Sequence, residues 1–444
     1  MQIDPWGSSS YQDYARLREQ FGIASFGQPE WSAFANPHPL FRRGVVFGHR
    51  DFERVADALR GHDPWSVMTG FMPSGDLHLG HKMVLEQVIA HQAAGADIHL
   101  ALADFEAMAA RGFTREKAHR IALDQYVHNA LALGLVPEGA EFYFQTRRTK
   151  VKDLAHRFAE RINWTTLAAL YGFTGSTSLA HALAPLMQAA DILHPQSDVE
   201  GPRPVLVPVG VDQDPHIRLT RDIAADLRLF AVQEHKDGGL AIYVKSEEGA
   251  SSLLDVAEKA VRDMGYGELV RNDSYRELRV RSGTKFDLRR VDLALARAEA
   301  AQGMDGLQSA PFVRPSATFH RFQTGLTGGK MSSSKPETSI FLTEDAKVAE
   351  KKLKSAVTGG KTSAEEQRRL GAEPDKCPVY ELYLYHLAKD DNHLAEVRAT
   401  CISGARLCGG CKSEAATILL DWMKNHKEKR DQVAHLVPTV VARD

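Results

Sequence analysis

Short apolar segments alternate with helical segments along the first half of this chain, and this alternation limits its fold more than any other feature. Strands are predicted at residues 65–70, 97–103, 141–145 and 204–209, and helices at residues 81–94, 114–133 and 214–229. Thr114 is placed to cap one helix and Gly134 to end it. The pattern predicts an α/β fold with a doubly wound parallel sheet, in which ligands bind at the carboxyl ends of the strands.

The second half of the chain has a different pattern. Two apolar segments flank the turn at residues 237–239, which predicts a hairpin, and a helix is expected to begin at Ser252 with Asp255 in the capping-box position. A further strand near residues 278–281 and a charged helix at 289–301 complete an α+β insertion. The predicted units are an N-terminal extension (1–62), a catalytic domain (63–230), the insertion (231–312), a second catalytic segment (313–344) and a helical C-terminal domain (345–444).

Composition excludes several classes of protein. With 444 residues, 43% of them hydrophobic and 25% charged, the chain is neither disordered nor fibrous. Its formal net charge of −2 gives no overall attraction to nucleic acid, so a polyanionic partner would need local basic patches. No secretory signal pattern stands at the start, and a cytoplasmic location is expected.

Two segments suggest a membrane span or a metal site, but both interpretations are weak. Residues 162–190 carry no Asp, Glu, Lys or Arg, yet Gly172, Gly175 and Pro185 interrupt them, so they are interpreted as pocket wall and no membrane contact is expected. Cys408 and Cys411 form a C-x-x-C motif, but no second pair has zinc-finger spacing. Ordinary reduced thiols are therefore expected.

The first chemical motif is HLGH at residues 78–81, where the first helix begins. Gly80 allows close approach to the backbone, the helix N-terminus attracts anions, and the imidazoles of His78 and His81 can donate to phosphoryl oxygens. The motif predicts a triphosphate site. Two incidental histidines are the alternative if the motif is taken alone.

Two further motifs follow in order. GGKMSSSK at residues 328–335 combines mobile glycines with Lys330, whose charge can stabilise a departing pyrophosphate, although alone it could be a solvated linker. GVDQ at residues 210–213 directly follows a predicted strand, and its Asp212 can accept hydrogen bonds from ribose hydroxyls. An ordinary helix cap is the alternative for that segment. Together the motifs predict a nucleotide site.

These motifs resemble the signatures of class I aminoacyl-tRNA synthetases. Residues 78–81 resemble the HIGH motif, residues 330–334 the KMSKS motif, and residues 210–213 the GxDQ of the tryptophan and tyrosine branch. Further stretches are similar to tryptophanyl-tRNA synthetases of the archaeal and eukaryotic type; among them are residues 4–6, 42–51, 171–174, 212–215, 220–222 and 339–343. The resemblance implies a Rossmann-like catalytic domain and covers nearly all of the chain except the insertion.

The resemblance implies a two-step reaction. Tryptophan and ATP, with Mg²⁺, give tryptophanyl-adenylate and pyrophosphate, and the tryptophanyl group then moves to tRNA(Trp). Because the attacking carboxylate is already ionised, catalysis needs only positioning and charge stabilisation. The implied catalytic residues are His78, His81, Lys330, Ser332 and Ser333. The implied ATP-binding residues are His78, Gly80, His81, Gly210, Asp212, Gln213, Lys330 and Met331.

One position departs from the family's motif. Ser333 stands where the family has its second lysine, so Lys330 is expected to be the main cation, and whether Lys335 substitutes is left open. No metal ligand is predicted among the side chains. A homodimer and a tRNA-binding role for residues 345–444 are also implied by the resemblance.

The resemblance further implies how the amino acid is recognised. The implied tryptophan-binding residues are Met68, Glu106, Gln188, Asp191 and Gln213. Met68 and Ala101 replace a tyrosine and a glutamine that contact the indole N–H in eukaryotic relatives. Asp191 matches the aspartate that bacterial tryptophan enzymes use instead, and an indole N–H donor facing a buried carboxylate discriminates strongly against phenylalanine.

Three alternatives have different consequences. A tyrosyl-tRNA synthetase also carries an aspartate at position 191, but Met68 favours the larger, apolar indole. A small-molecule nucleotidylyltransferase shares the HxGH loop but does not need the helical C-terminal domain. A catalytically inactive, synthetase-like RNA-binding protein does not need the intact His78, His81, Asp212 and Lys330.

Overall fold

The computed structural model describes residues 13–197, 201–281, 285–302, 311–329, 331–333 and 335–442. The strands are β1 (Ala24–Ser25), β2 (Val46–Arg50), β3 (Ser66–Phe71), β4 (Asp97–Leu102), β5 (Ala140–Phe144), β6 (Val205–Gly210), β7 (Phe230–Glu234), β8 (Leu240–Val244), β9 (Leu269–Asn272), β10 (Glu277–Val280) and β11 (Ser316–His320).

The helices occupy most of the remaining chain. They are α1 (Tyr14–Phe21), α2 (Gln28–Trp31), α3 (Pro39–Arg42), α4 (Glu53–Gly61), α5 (Leu79–Ala93), α6 (Asp104–Arg111), α7 (Arg115–Ile121), α8 (His128–Leu133), α9 (Thr149–Ala159), α10 (Trp164–Tyr171), α11 (Leu179–Leu193), α12 (Asp214–Asp226), α13 (Ala250–Asp263), α14 (Leu288–Ala301), α15 (Ala346–Ser355), α16 (Ala364–Leu370), α17 (Pro378–Leu382), α18 (Asp391–Ile402) and α19 (Cys408–Val433). Among these described residues, no helix is long and apolar enough to cross a membrane.

A central sheet has the strand order β1-β2-β11-β6-β3-β4-β5. The strands from β11 to β5 are parallel, with Ser66 paired to Asp97 and Ser316 to Leu206, whereas β2 runs antiparallel to β11. The chain therefore winds outward from β3 in one direction through β4 and β5, and returns to the other side through β6. This confirms the predicted doubly wound sheet. Residues 24–50, from the predicted N-terminal extension, supply two of its strands.

The direction of winding changes between β3 and β6, and such a switch leaves a crevice at the carboxyl ends of the strands. The HLGH motif follows β3 and the GVDQ motif follows β6, so both motifs lie at this crevice. Apolar residues of α5, α8 and the C-terminal helices cover one face of the sheet, and those of α9, α11 and α12 cover the other.

The insertion has its own antiparallel sheet, of order β7-β8-β10-β9, and its own core shared with α13 and α14. The predicted hairpin about residues 237–239 is confirmed. The predicted helix start at Ser252 is wrong, because α13 begins at Ala250 after Gly249 and places Ser252 inside the helix.

Local signals fixed the ends of several other elements. The Thr114 side chain caps α7, and Gly134 ends α8 in a left-handed conformation, as predicted. Between these points the chain forms a π-helical segment, Ala122–Val127, rather than a continuous α-helix. The predicted helical character of the C-terminal domain is confirmed by α15 to α19.

Candidate active site

A cavity of about 760 Å³ opens at the carboxyl ends of the parallel strands. All five residues implied in tryptophan binding lie in its wall: Met68, Glu106, Gln188, Asp191 and Gln213. Met68 comes from β3, Glu106 from the first turn of α6, and Gln188 from the middle of α11. The apolar part of α11, from the uncharged segment at residues 162–190, supplies much of the wall, in agreement with its interpretation as pocket lining.

A second cavity of about 290 Å³ adjoins the first. Its lining includes six residues implied in catalysis or ATP binding: His78, Gly80, His81, Met331, Ser332 and Ser333. The two cavities share the walls formed by Ser74, His81, His320 and Phe322, so together they provide space for an amino acid beside a nucleotide. Lys330 lies outside the described residues.

Backbone hydrogen bonds join the start of the HLGH motif to the segment that follows the GGKMSSSK motif. The Leu79 N–H donates to the Ile340 carbonyl at 3.0 Å, and the Leu342 N–H donates to the Leu77 carbonyl at 2.8 Å. The Ser332 N–H in turn donates to the Ser339 hydroxyl at 3.1 Å. Segments more than 200 residues apart in sequence are thus fixed side by side at the start of α5.

The two histidines of the first motif are held by main-chain amides. His78 Nδ1 accepts from the Gly80 N–H at 3.1 Å, and His81 Nδ1 accepts from the His78 N–H at 3.3 Å. A neutral imidazole that accepts at Nδ1 carries its proton on Nε2. Both rings are therefore set in the tautomer that donates through Nε2, which is the atom suited to a phosphoryl oxygen.

The structure shows why a glycine is needed at position 80, which the sequence interpretation did not explain in this way. A Cβ on Gly80 would lie 2.9 Å from His78 Cε1 and 3.0 Å from His78 Nδ1, so any other residue would displace the capping ring. The glycine is required by the imidazole that folds back over the helix N-terminus. Its predicted use, access of phosphate to the backbone, stays a prediction.

The GVDQ motif forms a short 3₁₀ segment, Val211–Gln213, at the end of β6. Gly210 is needed there because a Cβ would lie 2.7 Å from Asp212 Oδ1. Asp212 is buried in the wall of the large cavity, where the Gln188 amide donates to Gln213 Oε1 at 3.1 Å. The predicted carboxylate and amide groups thus face one cavity from two elements.

Asp191 is buried and belongs to a hydrogen-bonded group of three side chains. The Tyr143 hydroxyl donates to its Oδ1 at 2.9 Å, and Gln145 Nε2 donates to its Oδ2 at 2.6 Å. Burial raises the pKa of Asp191 to about 7, with smaller contributions from Asp104 and Glu106, while the two hydrogen bonds oppose the rise. Each carboxyl oxygen has a second lone pair, so Asp191 can still accept an indole N–H.

Sequence reasoning missed Gln145 and Arg111. Gln145 directly follows β5 at the carboxyl edge of the sheet, and its position there was the only signal for its place in the cavity wall. Its amide nitrogen is committed to Asp191, which leaves its oxygen as a second acceptor for a substrate N–H. Arg111, at the end of α6, lines the smaller cavity, and nothing in its sequence context marked it.

Among the described residues, one group outside these cavities has metal-ligating side chains close together: His99, Glu141 and His194. Glu141 already accepts from Arg148 Nη2 at 2.8 Å, and His99 Nδ1 lies 3.3 Å from the same oxygen. This group is interpreted as an ion-pair network behind the cavity wall. The Arg148 guanidinium already neutralises the Glu141 carboxylate, which a metal ion would need as a negatively charged ligand.

Comparisons with known proteins agree with this geometry. The family model for class I tRNA synthetases (W and Y) matches residues 60–237 and 292–422, and the unmatched interval falls within the insertion. The chain is 43% identical over 440 residues to the tryptophan–tRNA ligase of Methanosarcina acetivorans, covering 97% of this chain and 96% of the relative. It is 44% identical to that of Archaeoglobus fulgidus, covering 98% of each.

A solved structure gives the same result. The tryptophanyl-tRNA synthetase of the archaeon Aeropyrum pernix K1 superposes with a TM-score of 0.74 at 36% identity, and the superposition covers 100% of both chains. The similarity therefore extends over every unit of the fold.

Proposed function

The chain belongs to the class I tRNA synthetases for tryptophan and tyrosine, and on this premise we propose which of its residues carry out each step. Its function is the ATP-dependent activation of L-tryptophan and the transfer of the tryptophanyl group to tRNA(Trp). The observation that carries the proposal is the pair of adjoining cavities, because every described residue implied in binding either substrate lies in one of their walls or beside them.

The first step is an in-line displacement at phosphorus. A carboxylate oxygen of tryptophan attacks the α-phosphorus of ATP, and the bond from this phosphorus to the bridging oxygen breaks as pyrophosphate leaves. His78 and His81 donate from Nε2 to the phosphate oxygens, and Lys330 neutralises charge on the leaving group. Ser332 and Ser333, on the same loop, supply hydroxyl donors. Asp212 accepts from the ribose hydroxyls.

Mg²⁺ enters this proposal as an ion carried by ATP. Among the described residues that line the smaller cavity, none is a carboxylate. Mg²⁺ prefers oxygen ligands and is commonly held by phosphates and water in nucleotide sites. The residues present therefore fit an ion that would be held by the phosphates of ATP, and such an ion would supply positive charge to the departing pyrophosphate.

Tryptophan is recognised in the large cavity, whose wall contains all five residues implied in its binding. Gln188 and Gln213, which are hydrogen-bonded to each other, contact its amino and carboxylate groups, and Glu106 adds negative charge near the ammonium. Met68 packs on the indole, and Asp191 accepts the indole N–H. Tyrosine is disfavoured because Met68, in the cavity wall, offers an apolar contact that suits the larger indole better than a phenol.

The second step and the cellular setting follow from the family. The 3′-terminal adenosine of tRNA attacks the carbonyl carbon of the adenylate and AMP leaves, while residues 345–444 bind the tRNA. We place the enzyme in the cytoplasm, where tRNA is charged, and propose a homodimer. Dimer formation is tested by the mass of the purified enzyme in solution, measured by light scattering.

Amino-acid-dependent exchange of pyrophosphate into ATP, measured separately for all twenty amino acids, tests the adenylation proposal. Tryptophan should support exchange at least about 10²-fold better than phenylalanine, because a polar site that pairs with a substrate donor rejects analogues that lack it. Tyrosine carries a donor, and its exclusion is expected from the apolar contact of Met68. Preference for tyrosine would contradict the assignment of substrate. Exchange without later charging of tRNA(Trp) would contradict only the second step.

A further inference from the structure

The smaller cavity, in which the proposed function places the phosphates of ATP, has one arginine and no lysine among the described residues of its wall. This arginine is Arg111, the exposed last residue of α6, which ends at Gly112. The rest of the described wall consists of neutral side chains and three histidines. Since a guanidinium stays protonated in proteins, Arg111 gives this described wall its one permanent positive charge.

The sequence leaves open which group replaces the second lysine of the KMSKS motif, where this chain has Ser333. Lys335 is the nearest candidate along the chain, but its side chain is exposed and lies in the wall of neither cavity. Ser333 itself lies in the wall of the smaller cavity together with Arg111. The position of the missing lysine and an arginine from a distant part of the chain therefore face the same space.

Two other cations near the sequence motifs are already paired. Lys82, in the helix that begins with the HLGH motif, pairs with Glu86. Lys352, whose ammonium group also bonds the backbone after the GGKMSSSK motif, pairs with Glu344. Arg111, by contrast, forms no ion pair or hydrogen bond with any residue that the structure describes. Its N–H donors are thus available to an anion in the cavity.

The helix α6 is fixed at its start, and this sets the position of its last residue. The buried Asp104 accepts the Thr146 N–H at 3.1 Å through Oδ1, and its Oδ2 lies 2.8 Å from His119 Nε2. Glu106, in the first turn, lies in the wall of the large cavity. Arg111 follows five residues later, about 7.5 Å along the helix axis. One anchored helix thus presents an acidic group to the tryptophan cavity and a basic group to the ATP cavity.

The charge of Arg111 also acts at the wall that the two cavities share. Burial raises the pKa of Tyr126 to about 12, hydrogen bonds to Ser74 oppose the rise, Asp76 adds to it and Arg111 lowers the pKa. Ser74 belongs to the walls of both cavities, and Tyr126 to the wall of the large one. Arg111 is therefore within electrostatic range of the boundary between the amino acid and the nucleotide.

We propose that Arg111 binds the β- and γ-phosphates of ATP and stabilises the departing pyrophosphate, in place of the lysine that is absent at position 333. This inference rests on the proposed function. As the bond from the α-phosphorus to the bridging oxygen breaks, its electron pair stays on the pyrophosphate, and the guanidinium offsets the added charge without transferring a proton. A planar guanidinium can also donate two parallel hydrogen bonds to phosphate oxygens, which fixes the direction of the leaving group.

Arg111→Met, which removes the charge and keeps much of the length, tests the proposal by pyrophosphate exchange. The exchange rate should fall at least about tenfold, and the KM values for ATP and pyrophosphate should rise several-fold. The KM for tryptophan and the binding of AMP, which lacks the β- and γ-phosphates, should change little. Arg111→Lys should retain more activity, and Arg115→Met, at an exposed arginine in the wall of neither cavity, is the matched control.

Two results would overturn the role of Arg111. One is a wild-type rate and a wild-type KM for ATP in Arg111→Met. The other is an equal loss of affinity for ATP and AMP, which would mean that the arginine only stabilises the end of α6. Absence of tryptophan-dependent exchange in the unaltered enzyme would instead contradict the proposed function, so the two failures are distinguishable.

Returning a lysine to the motif tests whether one charge replaces the other. Ser333→Lys, introduced into the Arg111→Met variant, should recover at least about threefold of the lost exchange rate, whereas the same change in the unaltered enzyme should add little. An equal gain in both backgrounds, or no recovery in a folded double variant, would contradict the replacement. If Lys335→Ala lowered the rate and Arg111→Met did not, Lys335 would be the second cation and the proposal would be wrong.

Discussion

His386 Nε2 lies 3.1 Å from Gln323 Oε1, and this contact links the C-terminal helical region to the active site. The main-chain carbonyl of Gln323 accepts a hydrogen bond from the N–H of Met331, at the edge of the loop that carries Lys330. On its other side His386 Nδ1 lies 3.3 Å from Lys82 Nζ, in the helix that begins with the HLGH motif. One buried imidazole thus contacts both catalytic segments.

His386→Ala is expected to slow adenylation while changing the KM for tryptophan little. Burial and the charge of Lys82 lower the pKa of His386 to about 4, so the ring is neutral at pH 7 and acts by hydrogen bonding. Its loss should let the Met331 segment shift, and a small misplacement of catalytic groups costs roughly 10- to 100-fold in rate. The matched control is His393→Ala, which removes a hydrogen bond to Glu414 within the C-terminal region. Equal effects of the two variants would rule out a positioning role.

Lys330→Ala should lower the rate of adenylation by about 10²-fold or more, with little change in tryptophan affinity, because its charge is needed chiefly in the transition state. Pyrophosphate exchange at saturating tryptophan measures the rate, and equilibrium binding measures the affinity. Lys335→Ala is the comparison. A loss as large as that of Lys330→Ala would mean that Lys335 replaces the lysine missing at Ser333. Equal losses of rate and affinity in Lys330→Ala would contradict its proposed role.

Two substitutions of His81 distinguish the role of its Nδ1 acceptor from that of its Nε2 donor. His81→Asn keeps an acceptor near the position of Nδ1, which receives the His78 N–H, but removes the Nε2 donor. His81→Gln does the reverse. If the donor stabilises the transition state, Asn should lower the exchange rate by about 10²-fold at nearly unchanged melting temperature, and Gln should retain more activity. Wild-type exchange by the Asn variant would show that His81 is only a helix cap.

The pKa of about 7 for Asp191 predicts a pH dependence of tryptophan binding. An ionised carboxylate accepts the indole N–H more strongly than a neutral carboxyl, so the KM for tryptophan should fall as the pH rises from about 6 to 8. Asp191→Asn should abolish this fall, and Asp191→Ala should narrow discrimination against phenylalanine. If Gln145 were the acceptor instead, Gln145→Met would have the larger effect on KM.

The raised pKa of the Asp191 carboxyl also predicts that the stability of the protein depends on pH. Because folding raises the pKa of Asp191, its protonated form is favoured in the folded state, and the stability it contributes is complete below the ordinary carboxyl pKa. That contribution is lost as the pH rises from about 4 to 7. Urea unfolding of wild type and Asp191→Asn over this range measures the contribution. If the free energies of unfolding of the two proteins changed with pH in the same way, the raised pKa of Asp191 would be contradicted.

Removal of the insertion should leave adenylation intact if its boundaries are chosen from the structure. The predicted boundary at residue 312 is too late for this purpose, because Phe312 packs in the catalytic core and Val313 pairs with Gln196. A deletion of residues 230–301 with a Gly/Ser bridge keeps that contact.

This deletion would leave the Arg228 side chain without its ion-pair partners in the insertion. Arg228 is buried and pairs with Asp292 and Glu299 of the insertion, and an unpaired buried charge costs about 3–5 kcal/mol. The deletion should therefore be made together with Arg228→Leu, with Arg228→Leu alone as the control. Exchange within a few-fold of this control is expected. Complete loss of exchange in a soluble, folded deletion variant would show that the insertion helps to build the active site.

The sequence predicted the strands β3 to β6 and the order of the motifs, because both depend on local pattern and chain order. It did not predict β1, β2 or β11, which complete the central sheet. It did not predict the bonds from Leu77 and Leu79 to Ile340 and Leu342, since strand-like pairing between distant segments leaves no local signal. The capping role of His78 was missed for a related reason. Histidine is an uncommon cap, and the requirement for Gly80 appears only when the ring is in place.

The interior position of β11 has a consequence for how the protein is made. This strand lies between β2 and β6, yet it follows the whole insertion in the chain. On the ribosome, β3 to β6 can pair soon after they emerge, whereas β2, although synthesised earlier, has only the two-residue strand β1 beside it until β11 arrives. The insertion, with its own core, can fold while β2 waits. The first strands translated are therefore the last to enter the sheet.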